Sequence, residues 1–129
     1  MNLLLDTHAY LWFVGGNDRL STVARSVIEN PDNRVFISMA SLWEITVKYG
    51  LGKLTLKNGL EPFLKDYIVQ NGFNLLPIEP SHLIALSSLP LHHRDPFDRL
   101  IIAQSIKDGM MLCSADEKFK LYPIDDLVW

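Results

Sequence analysis

The sequence is poor in cysteine and has no long apolar run. Cys113 is the single cysteine among 129 residues, so a disulfide framework is excluded, and its place in the run MMLC predicts a small buried hydrophobe. No apolar stretch approaches the roughly 18 residues of a membrane span, and the first residues lack the basic start and cleavage site of a signal peptide. We therefore expect a cytoplasmic protein without a membrane partner.

Positive charge is not in excess either. Lys and Arg together number 12 against 15 Asp and Glu, which gives a net charge of −3. No overall basic field therefore indicates a nucleic-acid partner. The class is not excluded, because the acids of a catalytic site themselves lower the total. The length fits one domain over residues 1–129, with a core that needs no disulfide or metal to hold it together.

Low-complexity segments and internal repeats are absent, and short apolar runs alternate with segments of helical pattern. The predicted strands cover residues 3–5, 35–37, 73–78, 110–113 and 127–129. Strands that alternate with helices favour a parallel sheet covered on both faces. We therefore predict an α/β protein, a three-layer fold with a central, mostly parallel sheet of about five short strands flanked by helices.

Capping residues and glycines mark the ends of the predicted helices. These helices cover residues 7–14 before Gly15, 22–30 after a Ser21 cap, a segment opened by Ser41, residues 60–70, a segment capped by Ser81, and a segment from Asp95 and Pro96 to Gly109. In a parallel sheet such helices begin beyond the carboxyl ends of the strands, where ligands bind. Asp6, directly after the first strand, is therefore expected on the functional edge.

Four acids fall near predicted helix starts, namely Asp6, Glu44, Asp98 and Asp116. Capping explains each acid when it is taken alone. Asp6 stands at an N-cap position, Ser41 and Glu44 have the spacing of a capping box, and Asp98 lies in the first turn after the cap Asp95.

Taken together, the acids exceed what capping requires. Three caps are already supplied by Ser41, Asp95 and Ser114, and Glu117 has the spacing of a box partner for Ser114. A parallel sheet also brings all four acids to one edge. Ionised carboxylates that crowd together raise their own pKa values unless a cation lies among them. The set therefore predicts a cation site.

The donor types of this set indicate the kind of cation. Carboxylate oxygens, without a cysteine or a histidine pair at helical spacing, suit Mg²⁺ or Mn²⁺ rather than Zn²⁺. Magnesium held by one or two carboxylates keeps open positions for phosphate oxygens and activates water for phosphodiester cleavage.

Four sequence blocks carry a family resemblance over nearly the whole chain. They are LLLDTHAYLW, SMASLWEITVKYGLGKL, HHRDPFDRLIIAQ and LCSADEKFKLYP, and each contains one of the four acids. With these blocks the chain resembles a PIN domain, and more closely the VapC-type toxins of toxin-antitoxin pairs. The resemblance implies a PIN-like fold and a magnesium-dependent endoribonuclease, with Mn²⁺ as a substitute metal. It further implies RNA substrates such as transfer RNA or ribosomal loops, a cognate antitoxin and a homodimer.

The resemblance also implies roles for individual acids. Asp6 and Asp98 are the expected magnesium ligands, and Asp116 completes or supports the metal shell. Glu44 is expected to bind through water or to orient the attacking water.

Smaller and basic residues near the acids receive supporting roles. Thr7, Ser38 and Ser114 match small hydroxyl positions that hold the acids or contact phosphate, and Asp95 is expected near the site mainly as a helix cap. Arg94 is the expected phosphate contact. The other basic residues near the acids are interpreted for the most part as solvated surface charges; they are His92, His93, Arg99, Lys48, Lys53 and Lys57. Since His92 and His93 are adjacent, at least one of them is expected to point away from the site. We interpret Trp12, Phe13, Trp43 and Phe97 as core or dimer contacts.

Two other functions compete with this hypothesis. A haloacid-dehalogenase-like phosphatase also begins with a strand that leads into an aspartate, but it needs a second acid two residues later, where this chain has His8. A PIN fold that only binds RNA or protein is expected to lack one of the acids, and all four are present.

Overall fold

The computed structural model describes residues 1–129, and its centre is a sheet of five parallel strands. The strands are β1 (Asn2–Leu5), β2 (Arg34–Ser38), β3 (Asn74–Leu76), β4 (Met111–Cys113) and β5 (Leu127–Val128). Their order across the sheet is β3-β2-β1-β4-β5, and every neighbouring pair is parallel. β1 is thus the central strand, and Asp6 follows it.

Seven α-helices and one short 3₁₀ helix surround the sheet. The helices are α1 (Thr7–Gly15), α2 (Thr22–Glu29), α3 (Met39–Gly50), α4 (Glu61–Leu64), α5 (Asp66–Gln70), α6 (Pro80–Ser87) and α7 (Pro96–Asp108), and the 3₁₀ helix covers Glu117–Leu121. None of the helices is both long and apolar enough to cross a bilayer.

Alternating strand side chains build one core on each face of the sheet. Leu3 and Leu5 of β1 join a cluster with residues of α1 to α5, whereas Leu4 joins a second cluster with residues of α7. Side chains of a strand alternate between the faces with a period of two, so the fully buried leucine run of β1 contributes to both clusters. The predicted three-layer α/β fold with five short strands is confirmed.

Two predicted helix starts were wrong. β2 runs directly into α3, so Ser38 caps that helix by accepting the amide N–H of Ala40, and Ser41 lies inside the helix. Glu79 precedes α6, and the His82 imidazole accepts the backbone N–H of Glu79, so Ser81 is not the cap. In both cases the chain becomes helical earlier than a pattern of capping residues indicates.

The predicted segment 60–70 is two helices, broken at Lys65, whose φ is −140°. Phe63 and Ile68 both pack into the first core cluster. Residues five positions apart lie about 140° apart around a continuous helix, so the break lets both side chains face the core. The strand predicted over 73–78 is confined to β3, because the next residue, Pro77, has no N–H to pair.

Candidate metal and nuclease site

Asp6 lies at the carboxyl end of the central strand and also caps the following helix. Its Oδ1 accepts the amide N–H of Ala9 at 2.8 Å, and its side chain is buried. Burial raises the pKa of Asp6, an effect that the Ser114 hydroxyl and the Ala9 amide oppose. Asp6 is therefore held by the start of α1 and by Ser114, the residue that follows β4.

The neighbouring Thr7 supports this strand end. Its hydroxyl donates to the Ser41 hydroxyl at 3.0 Å, and both side chains are buried. This bond joins the start of α1 to α3, the helix that carries Glu44. Ser41, predicted as a cap, therefore links two elements that bring acids to the site.

Glu44 is buried in the second turn of α3, and its two oxygens differ. Oε2 is paired with the Lys48 ammonium one turn later, and this pair raises the pKa of Lys48 against the opposing effect of burial. Oε1 is buried without any hydrogen-bond partner. A buried carboxylate oxygen without a donor is costly, so Oε1 indicates a site for a cation or a water.

Asp98 lies in the first turn of α7, after the cap that the sequence predicts. Oδ1 of Asp95 accepts the amide N–H groups of Phe97 and Asp98 at 2.9 and 3.0 Å. Burial and the charges of the surrounding acids raise the pKa of Asp98 to about 8. The contributing acids are Asp95, Glu44, Asp6 and Asp116. The structure therefore brings all four predicted acids into one electrostatic group.

Asp116 follows β4 at the less buried rim of the group and caps the 3₁₀ helix. Its Oδ1 accepts the amide N–H of Lys118 at 2.9 Å, and the Ser114 hydroxyl accepts the amide N–H of Asp116 at 3.0 Å. Burial disfavours its charge, but the Lys118 amide and the His93 ring outweigh that effect and lower the pKa of Asp116. The predicted box between Ser114 and Glu117 was wrong, since Asp116 itself is the cap.

His93 is a site residue that the sequence did not identify. Its side chain is buried, and its Nε2 lies 2.7 Å from Asp116 Oδ2 and 3.2 Å from Asp98 Oδ2. Of the two adjacent histidines, His93 is therefore the one that contacts the acids. His92 is exposed, and its ring packs against Tyr122. Two adjacent histidines give no signal for which ring faces the site.

Ser38 and Gln104 form buried hydrogen bonds at the end of β2, next to the start of α3. The Ser38 hydroxyl donates to Gln104 Oε1, and the Gln104 amide donates to the carbonyl of Pro77 at 3.2 Å. Both side chains are fully buried. Gln104 thus ties α7 to the end of β2. Its position within an apolar helix run gave no sign of this role.

The donor set fits a hard divalent cation. One ligand atom each from His93, Asp98 and Asp116 lies within 4.8 Å of the others, while Asp6 and Glu44 lie outside this tight group. Most of these ligand atoms are carboxylate oxygens. Glu44 Oε1 has no hydrogen-bond partner, and the pKa of Asp98 is raised by burial and by the surrounding acids. A cation bound among the acids would compensate for both. The residues present therefore fit Mg²⁺ or Mn²⁺. The assignment of Asp6, Asp98 and Asp116 as the metal ligands stays a prediction.

A groove of about 730 Å³ lies beside Glu44, between α1 and the segment after α3. Cations line part of it, namely Arg19, Lys48, Lys53 and Lys57. Arg94, the predicted phosphate contact, is exposed at the start of α7 and makes no ion pair. Arg99 instead holds its own loop, since its guanidinium donates to the carbonyl of Pro90 at 3.0 Å. The acidic group therefore has positive charge along one side, which a polyanion requires.

The fold and the site define an α/β protein with clustered acids at the carboxyl edge of a parallel sheet. The PIN domain family model matches residues 3–124, so the chain belongs to the PIN domain family. The predicted family is confirmed. PIN domains are generally nucleases, and the family thus supports nuclease chemistry for this site.

Solved structures agree with this assignment. VapBC2 from Rickettsia felis, bound to a promoter DNA fragment, matches with a TM-score of 0.71 and 18% identity over 98% of this chain and 97% of that chain. DNA-bound VapBC from Salmonella typhimurium matches with a TM-score of 0.69 and 16% identity over 98% and 96%. FitAcB from Neisseria gonorrhoeae matches with a TM-score of 0.61 and 17% identity over 97% and 95%. At these identities the likeness concerns the fold, and curated protein sequences give no match.

Proposed function

We propose that this protein is a VapC-type toxin, a magnesium-dependent endoribonuclease that a cognate antitoxin neutralises. The observation that carries the proposal is the convergence of four acids at one sheet edge of a PIN domain, with Glu44 Oε1 buried and partnerless. The substrates proposed are RNAs such as transfer RNA or ribosomal loops. Mn²⁺ is proposed as a substitute for Mg²⁺.

Each acid has a distinct part in the proposed reaction. Asp6 and Asp98 would hold the ion, and Asp116 supports them from the rim. When bound, Mg²⁺ supplies a Lewis acid that activates water and stabilises the leaving oxygen. Glu44 Oε1 accepts a hydrogen bond from the attacking water, while Lys48 neutralises Oε2. The groove cations and Arg94 bind the phosphates on either side of the cleaved bond.

The antitoxin is proposed to act on the same edge. The structural neighbours from Rickettsia felis and Salmonella typhimurium are VapBC complexes, which supports a partner protein for this chain. A flexible antitoxin segment that places an Arg or Lys among the carboxylates relieves the same repulsion that a metal relieves.

A homodimer is also proposed, with an apolar stripe on α3 as its contact surface. The stripe consists of Met39, Trp43, Val47 and Leu51, which are 39%, 53%, 37% and 64% exposed. Met39, Trp43 and Val47 are spaced four residues apart on α3 and so lie on one face of the helix, and Leu51 directly follows its last residue. The Trp43 ring packs against Phe97 in a T-shaped arrangement, and about half of the residue is left exposed for a second copy. A closed pair of chains repeats one contact about a twofold axis.

Cleavage of RNA by purified, antitoxin-free protein tests the proposal. Parent protein with Mg²⁺ should cut total transfer RNA or a labelled hairpin RNA and should leave DNA of the same sequence intact. Asp6→Asn and Asp98→Asn should lose at least about a hundredfold in rate, because each removes a ligand charge at constant size, and asparagine retains the capping oxygen of Asp6. Added antitoxin should abolish cleavage by the parent.

The control variant is Asp66→Asn, which removes an exposed acid at the start of α5, outside the site. It should cleave as the parent does. Undiminished cleavage by Asp98→Asn, with contaminating nuclease excluded, contradicts the assigned site. A parent that binds RNA but does not cleave it, with Mg²⁺ or with Mn²⁺, supports the alternative, a catalytically silent PIN-fold binding module.

A further inference from the structure

His93 stands between two of the proposed metal-site acids in a fixed orientation. Its Nδ1 accepts the backbone N–H of Asp95 at 3.1 Å. Since an N–H can only donate, Nδ1 carries no hydrogen, and the ring hydrogen is on Nε2. The Nε2–H group donates to Asp116 Oδ2 at 2.7 Å, and Asp98 Oδ2 lies 3.2 Å from the same nitrogen. A nitrogen that carries hydrogen offers no lone pair to a metal, so in this arrangement His93 is a donor to the acids.

The backbone of His93 is held independently of the acids. The Tyr122 hydroxyl accepts the backbone N–H groups of His92 and His93 at 3.0 and 2.8 Å, and it donates to the carbonyl of Pro90 at 2.8 Å. The ring of His93 also packs edge-on against Phe119, with 5.7 Å between the ring centroids. Loop and ring are therefore anchored from the far end of the chain.

His93 also determines the orientation of Asp116. The Lys118 amide holds Oδ1 of Asp116, and His93 holds Oδ2, so both oxygens are fixed by donors from different segments. The same Nε2 lies 3.2 Å from Asp98 Oδ2, so one ring nitrogen contacts both acids. Loss of the Nε2–H donor leaves these two carboxylates facing each other without the group that joins them.

We propose that His93 is a positioning residue of the metal site. Its Nε2–H donates to Asp116 while Nε2 lies beside Asp98, which holds the two acids in the arrangement that binds the divalent cation, and it is not itself a ligand. This inference rests on the proposed function, because it concerns the same metal. Hydrogen-bond partners of metal ligands typically contribute a factor of about 10 to 100 in metal affinity.

Mn²⁺ binding to the full-length protein, measured from the free-ion EPR signal, tests the inference without relying on cleavage. His93→Leu removes the donor at similar size and should weaken Mn²⁺ binding by about 10- to 100-fold. His93→Gln should remain within about threefold of the parent, because its side-chain amide reaches Asp116 as a donor and its nitrogen has no lone pair for a metal. The control is His92→Leu, which changes the adjacent exposed ring and should bind Mn²⁺ as the parent does.

Thermal melting of each variant verifies that it is folded. If His93→Leu does not fold, His93→Asn replaces it, because that amide is too short to reach Asp116. If His93→Leu, or His93→Asn in its place, binds Mn²⁺ as tightly as the parent, the inference is overturned and the proposed function is left intact. Binding by His93→Gln as weak as that of His93→Leu also overturns it, since the imidazole is then a ligand. A parent that binds no Mn²⁺ overturns both the proposed function and the inference.

Discussion

The charges of the neighbouring acids converge on Asp98. Burial and four nearby carboxylates raise the pKa of Asp98 to about 8, far above the ordinary value of 3.8. At neutral pH the metal-free protein therefore holds a proton on Asp98 that the unfolded chain releases. A cation bound beside Asp98 favours its ionised form, so metal binding near pH 7 is expected to release this proton.

This proton makes the stability of the metal-free protein depend on pH. Between about pH 4 and pH 8 Asp98 is protonated when folded and ionised when unfolded, so folding takes up a proton. The stabilisation is complete below pH 4 and is lost as the pH rises through about 8. For one proton the slope is at most about 1.4 kcal/mol per pH unit. Denaturant unfolding in chelator between pH 5 and pH 8 should therefore give a steeper fall for the parent than for Asp98→Asn.

Asp66→Asn is the control, because it removes an exposed carboxyl outside the site. It should retain the parent's dependence of unfolding free energy on pH. Identical slopes for the parent and Asp98→Asn would mean that Asp98 is ionised normally in the folded protein. The crowding of acids at the sheet edge would then not exist.

The sequence was sufficient to predict the acids but not their neighbours. Asp6, Glu44, Asp98 and Asp116 share an electrostatic environment because parallel strands deliver their carboxyl ends to one edge. The argument that separate caps free the acids was wrong in part, since Asp6 and Asp116 cap helices and still face the group. A carboxylate has two oxygens, so capping and site membership do not exclude each other. His93 was missed because its role depends on loop contacts that no local pattern encodes.

At the level of elements, the order of strands and helices was predictable and their exact ends were not. The leucine run of β1 and the capped, glycine-terminated α7 carry strong local signals, and both were found. The start of α3 depends instead on Ser38, which the sheet holds at the end of β2 and which Gln104 binds from another helix. The break at Lys65 follows from core packing. Such tertiary contacts override local propensity.

The exposed apolar stripe of α3 gives the element-scale prediction, that two chains associate through this helix. Val47→Lys places a charge in the middle of the stripe and should weaken dimerisation at least about tenfold, because the ammonium must be desolvated in the interface. Val69→Lys is the matched control, because Val69 is 74% exposed on α5, away from the stripe. Sedimentation equilibrium gives the dimer dissociation constants of the parent and of both variants.

Three outcomes would contradict the proposal that α3 is the dimer interface. If the parent sediments as a monomer at all concentrations, the chain does not form a homodimer through α3. A Val47→Lys variant that dimerises as tightly as the parent places the interface elsewhere. A dimer that only Val69→Lys disrupts points to α5.

On the scale of the whole molecule, charge is distributed unevenly although the net value is only −3. Carboxylates gather at one sheet edge, and cations line the groove that begins beside Glu44. A small net charge therefore gave little information about function. The separation provides an attractive path for phosphates and a strongly negative point for a metal.

The metal site should be visible in the stability of the entire domain. A divalent cation that binds only the folded protein stabilises it by about 2.7 kcal/mol at a hundred times the dissociation constant. For a domain of this size that corresponds to a rise in melting temperature of roughly 10 °C. In chelator, Asp98→Asn should melt above the parent, because it relieves the repulsion among the acids.

Thermal melts at pH 8, with chelator and with Mn²⁺, on the parent and Asp98→Asn, test most directly whether the clustered acids are a metal site. Mn²⁺ should raise the melting temperature of the parent, and Asp98→Asn should melt higher than the parent in chelator and gain less from Mn²⁺. Asp66→Asn should behave as the parent. If Mn²⁺ leaves the melting temperature of the parent unchanged, or if Asp98→Asn melts below the parent in chelator, the clustered acids are not a metal site.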